Sequence, residues 1–350
     1  MKIFSIVGAR PQFIKLAPLS SALSGLHKEF IVHTGQHYDY AMSEKIFSDL
    51  GIRKPDIHLE IGSGTQAEQT GKMMIGLEIS MIKQKPDLVI VFGDTNSTIA
   101  GAIAAAKLNI PILHIEAGLR SYNKAMPEEI NRVVTDHVSS YLFAPTQTAI
   151  EILKTEGLAK NTYFTGDIMV DTMKNSIAIA LKKSAVISDL KLDAVDYNLL
   201  TLHRNYNVDD ITILRHLLNE IGKLKEKIIF PVHPRTKKML SASFRIPGNI
   251  QIIEPQGYLD FITLEYFAKR IITDSGGIQK EAYILGKPCI TLRTETEWVE
   301  TVEEKWNLLI NPKEKKIAEK ISSFYIPKKQ KEVFGKNVTA KMIRLINSFN

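Results

Sequence analysis

The run Asp274-Ser275-Gly276-Gly277-Ile278-Gln279-Lys280-Glu281 follows the strand-like stretch Arg270–Thr273 and opens a helix ending near Gly286. Ser275, Gly276 and Gly277 set unobstructed backbone N–H groups at a helix N-terminus. Such an end carries about half a positive charge and suits a phosphate or diphosphate. Glu281 lies one turn beyond Gly277, where its carboxylate could accept hydrogen bonds from ribose hydroxyls. The passage is a weak signal alone, and it gains weight from the other polar clusters. His203-Arg204 and His233-Pro234-Arg235 close two successive strands, and two His–Arg pairs at equivalent places point to anion handling. Arg10 and Lys15, in Gly8-Ala9-Arg10-Pro11-Gln12-Phe13-Ile14-Lys15, could grip a diphosphate or simply be surface cations.

Three carboxylates could move protons. Asp94, in Gly93-Asp94-Thr95-Asn96-Ser97-Thr98, follows the most apolar strand of the first half. Asp often caps a helix, but Thr95, Asn96 and Ser97 could cap equally well, which leaves this carboxylate over. Strand alternation puts His114 and Glu116 of His114-Ile115-Glu116-Ala117-Gly118-Leu119-Arg120 on one face. A carboxylate emerging from an apolar strand is costly if buried without a partner, so Glu116 reads as a site residue. Glu128, in Pro127-Glu128-Glu129-Ile130-Asn131-Arg132, has a plain alternative, because Pro followed by Glu is how helices start. The first loop lacks the further glycines of a dinucleotide fingerprint. The nine histidines show no metal-ligand spacing, so neither cofactor nor metal is expected.

The elements that must deliver these residues alternate short apolar strands with longer amphipathic segments, the pattern of βαβ units around parallel sheets. Strands are expected at 3–8, 30–34, 87–92, 112–116, 141–144 and 163–165, then at 199–202, 228–231, 250–253, 271–273 and 289–291. The expected architecture is α/β, with two doubly wound, Rossmann-like domains facing a cleft. The 350-residue length favours two domains. The boundary is placed in the polar stretch after residue 171, giving 1–185 and 186–350, with the last helix able to pack back on the first domain. Ligands of such sheets bind outside the carboxyl ends of the strands, where nearly all the clusters sit.

Composition narrows the function classes. The net charge of +7 comes partly from lysines crowding residues 313–331 at helical spacing beside acids, a solvated face rather than a nucleic-acid patch. No apolar run approaches the roughly 20 residues that span a bilayer. The start, Met1 to Gly8, reads as a first strand and not a signal peptide. Cys289 is the only cysteine, so no internal disulfide can form and a cytoplasmic location is expected. Apolar helix faces near 65–84 and 99–108 could pair two copies into a homodimer or could belong to the core.

The clusters named above, with Thr34-Gly35-Gln36-His37, occur in the order found in non-hydrolysing UDP-N-acetylglucosamine 2-epimerases, which the chain resembles over essentially its whole length. The resemblance implies a glycosyltransferase-B fold in which the C-terminal domain holds UDP. It implies that Arg10, His203, Arg204, Ser275, Gly276, Gly277 and Glu281 contact UDP. Lys15, Arg132 and His233 are also expected among the substrate-binding residues. Asp94, Glu116 and Glu128 become the acid/base carboxylates, with His203 near the diphosphate. The reaction implied is inversion at carbon 2 of a UDP-sugar by elimination and re-addition of UDP. Some residues depart from the family pattern: Tyr206 stands where a carboxylate is common, and Lys72 where allosteric members have Arg. Thr294-Glu295-Thr296-Glu297-Trp298-Val299-Glu300 and Arg10–Lys15 look more like the branch acting on UDP-2,3-diacetamido-2,3-dideoxy-glucuronic acid. A UDP-sugar glycosyltransferase of the same fold is the competing class.

Overall fold

The computed structural model describes residues 1–36, 46–232, 234–241 and 245–349. His233 lies outside the described residues. Two compact units form, Met1–Thr172 with Glu332–Asn350, and Met173–Lys331. The chain therefore leaves its first unit at 172, earlier than the boundary at 185, and returns to it at 332.

In the first unit, seven strands lie in the order β3-β2-β1-β4-β5-β6-β7. They are β1 (Lys2–Val7), β2 (Lys28–His33), β3 (Ile57–His58), β4 (Leu88–Phe92), β5 (Ile112–Ile115), β6 (Tyr141–Ala144) and β7 (Thr162–Phe164). Every pairing is parallel. Along β4 the side chains alternate between two cores. Leu88, Ile90 and Phe92 join one, and Val89 and Val91 join the other. A sheet covered on both faces needs such an unbroken apolar run. The helix Val338–Ile346 returns to the first core, burying Val338, Met342 and Ile346, while Phe349 stacks on Tyr141 at 3.6 Å.

The second unit has six parallel strands in the order β10-β9-β8-β11-β12-β13. They are β8 (Tyr197–Thr201), β9 (Lys227–Pro231), β10 (Ile250–Ile253), β11 (Arg270–Thr273), β12 (Cys289–Thr291) and β13 (Asn307–Leu309). Its strands also alternate between two cores: Ile228 and Phe230 face one, Ile229 the other. The α/β expectation of two parallel, helix-covered sheets holds. The short β3 and β13 had no sequence signal. β3 is two residues long, and β13 follows the polar run Glu303-Glu304-Lys305. Among the described residues no helix is long and apolar enough to cross a membrane.

Candidate active site

In each sheet the strand order reverses beside the first strand of the unit, between β1 and β4 and between β8 and β11. Loops leaving two such strands diverge to opposite faces and leave a crevice at the carboxyl edge. The first reversal carries Gly8–Arg10 and Gly93–Asp94; the second carries His203–Arg204 and Asp274–Gly277.

Gln12 joins the two loops of the first unit. Its Oε1 accepts from the Gly8 and Ala9 amides at 2.8 and 3.1 Å. Its Nε2 donates to the Phe92 carbonyl and to Thr98 Oγ1, both at 3.0 Å. Asp94 is not the helix cap, which is Thr95. Its Oδ2 instead accepts from Arg132 Nε and Nη2 at 3.0 and 2.6 Å, and Asn131 donates to its carbonyl. Arg132, expected among the substrate-binding residues, is therefore engaged by Asp94, and also by Glu129 at 3.0 Å.

Strand β5 stops at Ile115, and Glu116 adopts φ +76, so alternation no longer governs its direction. Lys15 Nζ lies 2.6 Å from Glu116 Oε1, and both side chains are about nine-tenths buried, at 8% and 10% exposure. Lys15 thus serves as the counter-charge of a carboxylate. Gly93, at φ +62, passes close to this pair: a Cβ there would lie 3.1 Å from Lys15 Nζ.

The helix Pro127–Val138 presents two adjacent glutamates with different surroundings. Glu129 is buried, accepting from Ser121 N and Oγ and from Tyr122 N, besides pairing with Arg132. Burial works to raise its carboxyl, but the Ser121 and Tyr122 donors and the Arg132 guanidinium outweigh that and hold it below the ordinary value. Glu128 is half-buried and has no hydrogen-bonded or ion-pair partner among the described residues. Glu128, not Glu129, is the candidate expected from sequence. Their difference arises from the loop at 121–122, which no local pattern places against the helix.

In the second unit Asp274 is the organising group. It is fully buried and accepts from the amides of His203 and Arg204 and from Asn207 Nδ2 at 3.0–3.1 Å. His203 Nδ1 lies 2.8 Å from its Oδ1, which fixes the ring and leaves Nε2 on the exposed side chain. Burial acts to raise Asp274, but His203, Asn207 and the Arg204 amide hold it below the usual carboxylate range. Ser275 caps the helix Gly276–Ile284, its Oγ accepting from Ile278 N. Gly277 is exposed, and nothing but Ser275 Oγ approaches the space where its Cβ would be. Gly276 is buried, with Glu297 Oε1 2.0 Å from where its Cβ would stand, so a side chain there would have to displace the Glu297 carboxylate. Glu281 is half-buried on the same helix. Arg293 donates to Glu297 Oε2 at 3.0 Å and lines a cavity of about 310 Å³ with Tyr206, Asn207, Glu295 and Lys313. The second reversal thus brings His203, Arg204 and the start of the helix Gly276–Ile284 together around Asp274, and the first holds Asp94 and Glu116, each paired with a cation. Among the described residues no group of three or more His, Cys, Asp or Glu is arranged to hold a metal ion.

The sequence profile described as UDP-N-acetylglucosamine 2-epimerase matches residues 24–346. The chain belongs to this family. A family relative named UDP-N-acetylglucosamine 2-epimerase homolog, from Methanococcus maripaludis, is 51% identical, covering 93% of this chain and 92% of its own. The UDP-2,3-diacetamido-2,3-dideoxy-D-glucuronate 2-epimerase of Pseudomonas aeruginosa is 46% identical, over 89% and 88% of the two chains. Among solved structures, the Methanocaldococcus jannaschii UDP-GlcNAc 2-epimerase in complex with UDP-GlcNAc and UDP superposes with a TM-score of 0.89, at 43% identity and full coverage of both chains. The epimerase family thus accounts for the whole of both units.

Proposed function

We propose that the chain is a non-hydrolysing epimerase that inverts carbon 2 of a UDP-N-acetylhexosamine, interconverting UDP-N-acetylglucosamine and UDP-N-acetylmannosamine for cell-surface polysaccharide synthesis. The family match over residues 24–346 carries this reading. The chemistry agrees with the residues. Carbon 2 bears hydrogen and an acetamido group with no adjoining carbonyl, so deprotonation to a stabilised carbanion is unavailable. Loss of UDP across carbons 1 and 2 avoids that difficulty. A base takes the carbon-2 proton as the carbon 1–oxygen bond breaks, giving a glycal. A proton delivered to the opposite face and return of UDP complete the inversion. Two faces call for two proton-transfer groups, for which Asp94, Glu116 and Glu128 are the candidates. The leaving diphosphate calls for cations and amide donors: Arg10, His203, Arg204 and the Ser275–Gly277 turn, with Glu281 for the ribose. Lys15 and Arg132 keep the carboxylates in place, and His233 is assigned to the diphosphate as well.

Incubation with UDP-N-acetylglucosamine in deuterium oxide, without any acceptor, tests the reading by NMR. Product carrying deuterium at carbon 2 is expected; product without label excludes proton exchange, and dependence on an acceptor identifies a transferase. The same chemistry on UDP-2,3-diacetamido-2,3-dideoxy-glucuronic acid is a second reading, favoured by the Pseudomonas aeruginosa relative and by the Thr294–Glu300 segment. Parallel incubations with both nucleotides separate the two.

We also propose that two copies pair through the helix Gln66–Gln84. Ile75, Ile79 and Ile82 form a stripe at i, i+4 and i+7, exposed by 62%, 62% and 57%. Sedimentation should give a dimer that Ile79→Lys converts to monomer; a wild-type monomer refutes the pairing.

A further inference from the structure

Behind the carboxylates of the first unit lies a buried histidine with an oxygen acceptor at each ring nitrogen. His114 is fully buried. Its Nδ1 lies 2.7 Å from Asp136 Oδ1, and its Nε2 lies 2.8 Å from the Gly93 carbonyl oxygen. Both neighbours are acceptors. A neutral imidazole donates from one nitrogen and accepts at the other, so either tautomer would press a nitrogen lone pair against an oxygen lone pair. Only the doubly protonated ring donates at both contacts.

Asp136 is wholly removed from water, and Arg120 pairs with it at 2.7 Å. The other arm of Arg120 reaches Glu156 at 2.6 Å, a carboxylate that is a quarter exposed and lies 3.9 Å from His137. Burial alone would raise the Asp136 carboxyl, yet His114 and Arg120 hold it below the ordinary value, so it stays an acceptor. Its Oδ2 also takes the Gly118 amide at 3.0 Å.

We propose that His114 is a positioning residue that works as an imidazolium, tying the Gly93 carbonyl to Asp136 and so setting the turn that presents Asp94 and Glu116. Gly93 precedes Asp94, and its Cβ position would stand 3.5 Å from Glu116 Oε1. Holding this one peptide therefore fixes the backbone beside both acids. The catalytic part rests on the proposed 2-epimerase function; the protonation state of the ring does not.

The test is NMR of the intact protein carrying ring-¹⁵N histidine at about pH 7.5, where an ordinary imidazole is mostly neutral. One buried ring with both nitrogens protonated is expected. His33, the other buried histidine among the described residues, is an internal control, because its Nδ1 accepts from the Gly35 amide and must be bare. A bare nitrogen on every buried ring overturns the proposal, and the wild-type spectrum alone decides this even if a His114 variant fails to fold. His114→Gln, which donates at only one end, should lower kcat about tenfold or more while affinity for UDP is unchanged. A folded His114→Gln enzyme with wild-type turnover refutes the positioning role. An inactive wild-type protein would instead refute the epimerase reading and leave the spectral test standing.

Discussion

Glu116→Gln lowers turnover by about 100-fold or more, the scale of a lost general acid or base, with little change in KM. The substitution keeps the shape of the side chain and an oxygen for Lys15, which lies 2.6 Å away in the native protein. It removes only the charge and the ability to carry a proton. The side chains of both partners are nearly buried, so some stability is lost too, and thermal unfolding measured beside the kinetics separates the two effects. Asp94→Asn should show a similar fall in turnover, and some stability is lost as well, because the Arg132 guanidinium no longer faces the carboxylate charge that its Nε and Nη2 contact. Wild-type turnover in both variants would remove proton transfer by these acids from consideration.

Asp274→Ala abolishes detectable UDP binding and destabilises the protein by about 3 kcal/mol or more. The side chain accepts from two backbone amides and one carboxamide at the carboxyl edge of the second sheet. Each buried donor left without an acceptor costs about 1–3 kcal/mol. The two amides belong to His203 and Arg204, in the loop after β8, so the cations assigned to the diphosphate lose their placement together. A pH effect should accompany this. Asp274 is held below the ordinary carboxylate value, so its contribution is complete above about pH 4–5 and is lost as the pH falls through the depressed value. Acid unfolding of the Asp274→Ala protein should lack that part of the dependence. Calorimetry with UDP as titrant, together with denaturant unfolding across this range, checks both statements. Undiminished UDP affinity would show that the loop does not hold the nucleotide.

Much of this arrangement was readable in the chain, for a simple physical reason. Parallel strands covered on both faces must be apolar throughout, so 88–92 and 271–273 stand out, and polar residues just after them mark the carboxyl edge. Distant partners left no such mark. Asp136 pairs with His114 at a separation of 22 residues, and nothing local distinguishes it from an ordinary helix-surface acid. Lys15 pairs with Glu116 across 101 residues, a contact that no local pattern announces. Glu116 also escaped the alternation rule, because the strand ends one residue before it. Glu129 and Glu128 are indistinguishable in type and spacing until the 121–122 loop folds over one of them.

The re-entry of the C-terminal segment has a consequence for biosynthesis. Residues 332–349 emerge from the ribosome only after the whole second unit has been translated, yet Val338, Met342 and Ile346 fill part of the first unit's core. The first unit therefore waits, with an open apolar surface, while its neighbour is made. A nonsense mutation near residue 331 would strand it in that state, a substrate for chaperones and proteases rather than a half-working enzyme.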